Sequence, residues 1–173
     1  MDYNEYTHRS KNPNCKFYVL GFIFCLESNR VILINKLRPD WQKDYNNGIG
    51  GKVEENETYI QAMVRETLEE SNLRIGGIEW EWFCTMRSKA ELDPWEVICY
   101  TTDISSMQFE GATTMEEERI NKWQLGNITT VNKHLLGNIP WLVGMALDKI
   151  VNDSFEPVII DYTGLSLPLN LTK

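Results

Sequence analysis

The segment GGKVEENETYIQAMVRETLEESNL, residues 50–73, limits what this chain can fold into more than any other. Thr58 and Gln61 have the Thr-x-x-Gln spacing of a capping box, so a helix is predicted to begin at Tyr59. Ile60, Met63, Val64, Thr67 and Leu68 then recur at helical spacing and form its buried stripe. Asn72 tolerates the left-handed conformation that closes helices, second only to glycine, which ends the helix at Ser71. Along this helix Glu66 neighbours both Glu69 and Glu70, because residues three and four apart stand about 5–6 Å from each other. Like charges at that spacing cost roughly 0.2–0.5 kcal/mol a pair, and Arg65 offsets part of this by reaching Glu69 one turn on. Two uses fit such a patch. It is a solvated acidic face away from the apolar stripe, or it is a seat for a hard divalent cation, which takes carboxylates together with water and substrate phosphates.

The remaining sequence supplies strands. CKFYVLGFIFCLESNR and VILINKL read as two strands around a Glu-Ser-Asn turn, and RPDWQKDYNNGIGG as a loop dense in Pro, Asp, Asn and Gly. IEWEWFCTMRS alternates Glu79 and Glu81 with Trp80 and Trp82, as a half-buried strand does. WEVICYTTDIS is a further strand and ERINKWQL a short one, while TTVNKHLLGNIPWLVGMALDKIVN reads as a second helical segment broken near Gly137–Pro140. This order predicts an α/β fold, a mixed β-sheet sandwiched between α-helices. Residues 1–152 are read as a single domain and 153–173 as a C-terminal extension holding one short strand and a loose tail. A chain of 173 residues buries a real core, to which its six tryptophans are expected to contribute much.

Charge narrows the partners. The net charge of −8 argues against a nonspecific grip on a phosphate backbone, and no basic stretch is present to track a strand. Cys15, Cys25, Cys84 and Cys99 lack a Cys-x-x-Cys pair and read as buried thiols in a reducing compartment. With His8 and His134 as its two histidines, the chain is poorly supplied for His-based triad chemistry. The polar N-terminus has no secretory pattern, and no apolar run approaches the ~20 residues of a membrane span. A soluble, cytoplasmic protein is expected, with no membrane and no long nucleic acid as partner; monomer and homodimer both stay open.

From Gly51 the sequence runs five residues to Glu57, seven more, and then Arg65-Glu66-Thr67-Leu68-Glu69-Glu70-Ser71-Asn72-Leu73. This resembles the signature of the Nudix hydrolases, Gly-x5-Glu-x7-Arg-Glu-aliphatic-x-Glu-Glu-x-Gly-aliphatic. Thr67 replaces the usual aliphatic and Asn72 the usual glycine; neither change removes a catalytic group. The resemblance implies the Nudix fold and a hydrolase that cleaves the phosphoric anhydride of a nucleoside diphosphate linked to another group. It implies Mg2+ or Mn2+ held by Glu66, Glu69 and Glu70, with the Gly50 carbonyl completing the site. It further implies that Glu57 organises the loop and that Arg65 braces the glutamates. Many members add an acid from a distant loop ahead of a tryptophan-bearing strand. TTMEEERINKW fits, with Glu118 preferred and Glu117 next, against the alternative of a solvated acidic turn. Glu66, Glu69 and Glu118 are the candidates for general base.

The segment NGIGGKVE, residues 47–54, is similar to that of the branch cleaving oxidised purine nucleoside triphosphates. There an Asn at the place of Asn47 binds the base and a Lys at the place of Lys52 belongs to the glycine turn. Asn47-Gly48 is equally an ordinary turn dipeptide. That branch also has an acidic pair near the second helix, where this chain has Gly137 and Asn138, which puts a preference for 8-oxo-guanine in doubt. Lys36 and Arg38 are phosphate contacts or a polar strand end, and Trp41, Trp95 and Trp141 are stacking platforms or core. The expected reaction is cleavage of a nucleoside triphosphate to monophosphate and pyrophosphate. The alternatives are hydrolysis of ADP-ribose or a dinucleotide, and a Nudix-fold sensor that binds nucleotide without cleaving it.

Overall fold

The computed structural model describes residues 13–128 and 132–163. A long first strand, β1 (Lys16–Cys25), turns through Leu26–Ser28 and a left-handed Asn29 into β2 (Arg30–Asn35), the predicted hairpin. The chain then forms β3 (Asn46–Asn47), α1 (Tyr59–Ser71), β4 (Glu81–Ser88) and β5 (Trp95–Asp103). It continues through α2 (Ser106–Gly111), β6 (Arg119–Gln124), α3 (Ile139–Val151) and β7 (Val158–Asp161). The strands join in one sheet of order β3-β2-β1-β5-β4-β7, with β6 paired on β2. Pairs β1–β5 and β4–β7 are parallel and the rest antiparallel, so the sheet is mixed, as predicted.

The hairpin does not stay closed. β1 and β2 pair only through Ile23–Cys25 and Arg30–Ile32, and then part. The glycine segment enters the fork: Asn46 and Asn47 pair with the end of β2, while Ile49 and Lys52 bridge to Gly21 and Tyr18 of β1. The Val19 amide donates to the Gly51 carbonyl at 2.9 Å and the Gly21 amide to the Ile49 carbonyl at 2.6 Å. Gly50 has to be a glycine here, since its φ is 151° and a Cβ would lie 2.1 Å from the Val19 carbonyl oxygen.

Strand alternation divides the core into two layers. Val19, Ile23, Ile32 and Ile34 pack with Met63 of α1, while Leu20, Phe22, Phe24, Val31 and Leu33 pack with Ile139 and Leu142 of α3. Phenylalanines fill the centre: Phe22, Phe24, Phe83 and Phe109 are fully buried, whereas Trp80 is the one buried tryptophan and Trp41 is 68% exposed. Trp82, Trp95, Trp123 and Trp141 pack against the two clusters while partly exposed, so the tryptophans contribute to the core mainly from its margins. The strand β4 is not half-buried either, because β5 and β7 flank it and Phe83 through Met86 are all enclosed. The second helix begins only at Ile139, with Pro140 in its first turn, where its missing N–H costs nothing. Part of the predicted segment, 129–131, lies outside the described residues, and so does the end of the tail, 164–173. The tail's short strand is present as β7. The helix α2 was not foreseen, although Ser105 and Gln108 repeat the capping-box spacing of α1. Cys25, Cys84 and Cys99 are buried free thiols, and Cys15 is half-buried. Among the described residues no helix is long and apolar enough to cross a membrane.

Candidate metal and phosphate site

The helix α1 has the predicted limits because both ends are locally satisfied. The Gln61 amide donates to Thr58 Oγ1 at 3.3 Å, the Thr58 amide to Gln61 Oε1 at 2.8 Å, and Asn72 closes the helix at φ 55°. Its buried face is turned from the predicted stripe. Tyr59, Ala62, Met63, Thr67, Glu70 and Ser71 are buried, while Ile60, Val64 and Leu68 are only partly covered. Thr67 Oγ1 donates to the Met63 carbonyl and Ser71 Oγ to the Thr67 carbonyl, both at 2.6 Å. Their buried hydroxyls are thus satisfied inside the helix, which accounts for a threonine at an apolar position. Because of this rotation, Glu70 is 3% exposed. The acid patch is therefore not a solvated face.

Two cations divide the carboxylates. On one side the Arg65 fork meets Glu57 Oε1 at 2.9 Å and Oε2 at 3.0 Å, Glu66 Oε1 at 2.7 Å, Glu69 Oε2 at 3.1 Å and the Lys52 carbonyl at 3.0 Å. Hydrogen bonding to Glu57, ahead of the contact with Glu66, holds the guanidinium above its already high ordinary pKa. Glu57 Oε2 also accepts from the Glu54 amide at 3.1 Å, so the Arg65–Glu57 pair ties the loop to the helix. Gly51 lies so close to Glu66 that a Cβ would come within 2.4 Å of its Oε1, so any larger residue would push this carboxylate from its place. Burial raises the Glu66 carboxyl, and Arg65 only partly counters it.

On the other side Lys36 Nζ donates to Glu70 Oε1 at 2.8 Å and to Glu118 Oε2 at 2.7 Å. Each carboxylate's second oxygen takes a backbone amide: Gly50 N to Glu70 Oε2 at 2.8 Å, and Leu37 N to Glu118 Oε1 at 3.0 Å. Burial pushes the Glu70 carboxyl up to about 7, against the opposing pull of Lys36. Burial alone would lower the Lys36 ammonium, but Glu70 and Glu118 reverse this and hold it above its ordinary value.

The predicted residues thus fall into place unequally. Glu66 and Glu69 share Arg65, while Glu70, held by the Gly50 amide, meets Glu118 of the 113–118 loop across Lys36. Glu116, which the sequence did not single out, is exposed like Glu117, yet it brings a carboxylate oxygen within 4.8 Å of those of Glu70 and Glu118. The loop is anchored to the helix end by the Thr113 and Met115 amides, which donate to the Ser71 and Glu69 carbonyls at 3.0 and 3.2 Å. Lys36, read as a phosphate contact or strand end, is buried among carboxylates. The signal was its period-two continuation of Ile32 and Ile34 onto the α1 face. Arg38 and Lys52 are exposed beside the site's loops. The Asn47 amide donates to Gln42 Oε1 at 3.2 Å, and its oxygen accepts from the Gly48 amide at 2.8 Å. Trp95 packs on Tyr162 and Trp141 on the α3 core, which leaves Trp41 as the open aromatic of the three. An open groove of about 580 Å³, lined by Asn35, Asn46, Asn121 and His134, lies on the α3 face by strand register. It is across the sheet from the carboxylates.

The donor set suits a hard divalent cation: several carboxylates in a gathered, partly buried cluster, already attracting the ammonium of Lys36 into their midst. Comparison with known proteins agrees. The NUDIX domain family model matches residues 17–136. No curated protein matches the sequence. A NUDIX-family hydrolase from Clostridium perfringens superposes with a TM-score of 0.57 at 18% identity, covering 78% of this chain and 97% of that one. The MutT NUDIX hydrolase from Burkholderia pseudomallei gives 0.60 at 18%, covering 76% and 97%. The NUDIX domain of Shewanella oneidensis NrtR, solved with ADP ribose, gives 0.61 at 15%, covering 79% and 87%. At such identities the superpositions speak for the fold, and the family match spans most of the domain. The chain belongs to the NUDIX family, which acts on nucleoside diphosphate derivatives.

Proposed function

We propose that this NUDIX hydrolase cleaves a nucleoside triphosphate, including modified ones, to the monophosphate and pyrophosphate. The observation that carries this reading is that α1 presents two carboxylate groups side by side along its length, Glu66 and Glu69 on Arg65 and Glu70 gathered with Glu116 and Glu118 beside the Gly50 amide. Glu66, Glu69, Glu70 and Glu118, together with the Gly50 carbonyl, would hold Mg2+ or Mn2+, and Glu116 adds an oxygen donor next to them. Such an ion supplies positive charge against the phosphate oxygens, which otherwise repel an attacking hydroxide. The chain's own residues do the rest. A carboxylate accepts the proton of the attacking water, with Glu66, Glu69 and Glu118 as candidates. The exposed Arg38 and Lys52 meet the phosphate chain. Asn47 offers its amide to a base edge, and Trp41 offers an open ring for stacking.

A second reading has support of its own: the NrtR domain holds ADP ribose, and the same carboxylates serve any pyrophosphate linkage. A binding-only sensor is disfavoured by the full set of acids. The test is a panel of nucleoside triphosphates, ADP-ribose and dinucleotides with Mg2+, following the release of pyrophosphate and of nucleoside monophosphate. Pyrophosphate from a triphosphate supports the first reading. Release of AMP from ADP-ribose alone supports the second, and binding without turnover across the panel supports the sensor.

A further inference from the structure

Lys36 is the least expected member of the site, and its contacts define a role that the family signature does not contain. Its side chain is 12% exposed and its two partners, Glu70 and Glu118, are 4% and 10% exposed. A buried carboxylate without a partner costs several kcal/mol, so the ammonium keeps this cluster stable. The arrangement is built to be kept. The other oxygen of each acid is held by a backbone amide, Gly50 or Leu37, an anchor that does not depend on Lys36. The choice of lysine is also informative. On the opposite side of the same patch an arginine fork makes contacts with three carboxylates and a carbonyl, a geometry that does not let go piecemeal. Lysine presents a compact point charge on a flexible four-carbon stem, which can leave by rotating its chain.

We propose, resting on the divalent-ion reading above, that Lys36 is a built-in cation of the Glu70–Glu118 side, and that a divalent ion enters that side only by displacing it. The ammonium holds the carboxylates gathered while the site waits, which avoids their mutual repulsion. Once displaced, it stays at the rim of the site, where a phosphate oxygen of the incoming nucleotide offers an equivalent charge-assisted partner. Ion and nucleotide then reinforce each other, because the ligand that draws Lys36 away clears the place the ion needs.

The test is a Mn2+ titration of the full chain, read by the loss of free-ion electron paramagnetic resonance signal, for wild type, Lys36→Met and Lys36→Gln. Removing the competing ammonium is expected to tighten at least one Mn2+ by roughly 10- to 100-fold, the range set by the hydrogen bonds to charge that Lys36 makes. Lys36→Met should also melt lower than wild type without metal and gain more from Mn2+. Lys36→Gln, which keeps a neutral donor on a shorter stem, covers the case in which Lys36→Met does not fold. Equal or weaker Mn2+ binding in the folded variants would overturn the proposal while leaving the divalent seat intact. Failure of wild type and variants alike to bind Mn2+ would overturn the seat itself, and the role of Lys36 with it.

Discussion

The acid patch on α1 is neutralised in two ways. Around Arg65, one planar fork is shared by Glu57, Glu66, Glu69 and a loop carbonyl, and the guanidinium is a quarter exposed. Around Lys36, a single buried ammonium joins just two carboxylates, each pinned separately by the backbone. The first arrangement is a brace that ties loop to helix, and the second is an exchangeable filling. One cluster of like charges can thus hold both a permanent and a replaceable counter-ion, with the type of cation deciding which is which.

The largest test of this division is Glu69→Gln. Glu69 is the most open carboxylate of the Arg65 half, with 45% of its side chain exposed. Its loss should lower kcat by more than about 100-fold, beyond what supporting residues of metal sites give, while stability moves by less than ~0.5 kcal/mol. Steady-state kinetics and thermal melting check both parts, and surviving activity would remove Glu69 from the site. Next comes Arg65→Ala, which strands three carboxylates at once and should cost roughly 2–3 kcal/mol in urea unfolding. Arg65→Lys should recover little, since a point charge cannot reproduce the fork. The Lys36 half should instead reveal itself through pH. In metal-free protein the Glu70 carboxyl, raised from 4.5 to about 7, binds its proton in the folded state where the unfolded chain has released it. Its contribution to stability is complete below pH 4.5 and is lost as pH rises through about 7. The slope is at most ~1.4 kcal/mol per pH unit, and Glu70→Gln should flatten it. The smallest change, Thr58→Ala, removes the cap that both halves share and should cost about 1 kcal/mol without altering Mn2+ affinity.

Much of this was legible in the residues. The limits of α1 follow from Thr58, Gln61 and Asn72 alone, because caps are local chemistry. The hairpin and the carboxylates of the signature were equally plain. The rotation of α1 was not, because it depends on hydroxyls of Thr67 and Ser71 folding back onto their own helix, so that these positions no longer follow side-chain polarity. Glu116 was hidden among three consecutive glutamates, whose register only the loop's anchoring to the end of α1 decides. The place of Lys36 was readable in the alternation with Ile32 and Ile34, but its partners are 34 and 82 residues away in the chain. Trp41 and Trp80 show that size and apolarity alone do not tell which aromatic is enclosed.

The fork between β1 and β2 has an implication for how such a protein can diversify. Residues 46–53 are laced on one margin to β2 and on the other to β1, so an insertion or deletion there would shift every later rung of both ladders. The stretch 37–45 hangs free of that lacing for most of its length and begins beside Glu118, whereas 113–118 is tied to the end of α1 and itself carries Glu116 and Glu118. A change of length is therefore best accommodated in 37–45, where it leaves the carboxylates and the glycine clamp in place.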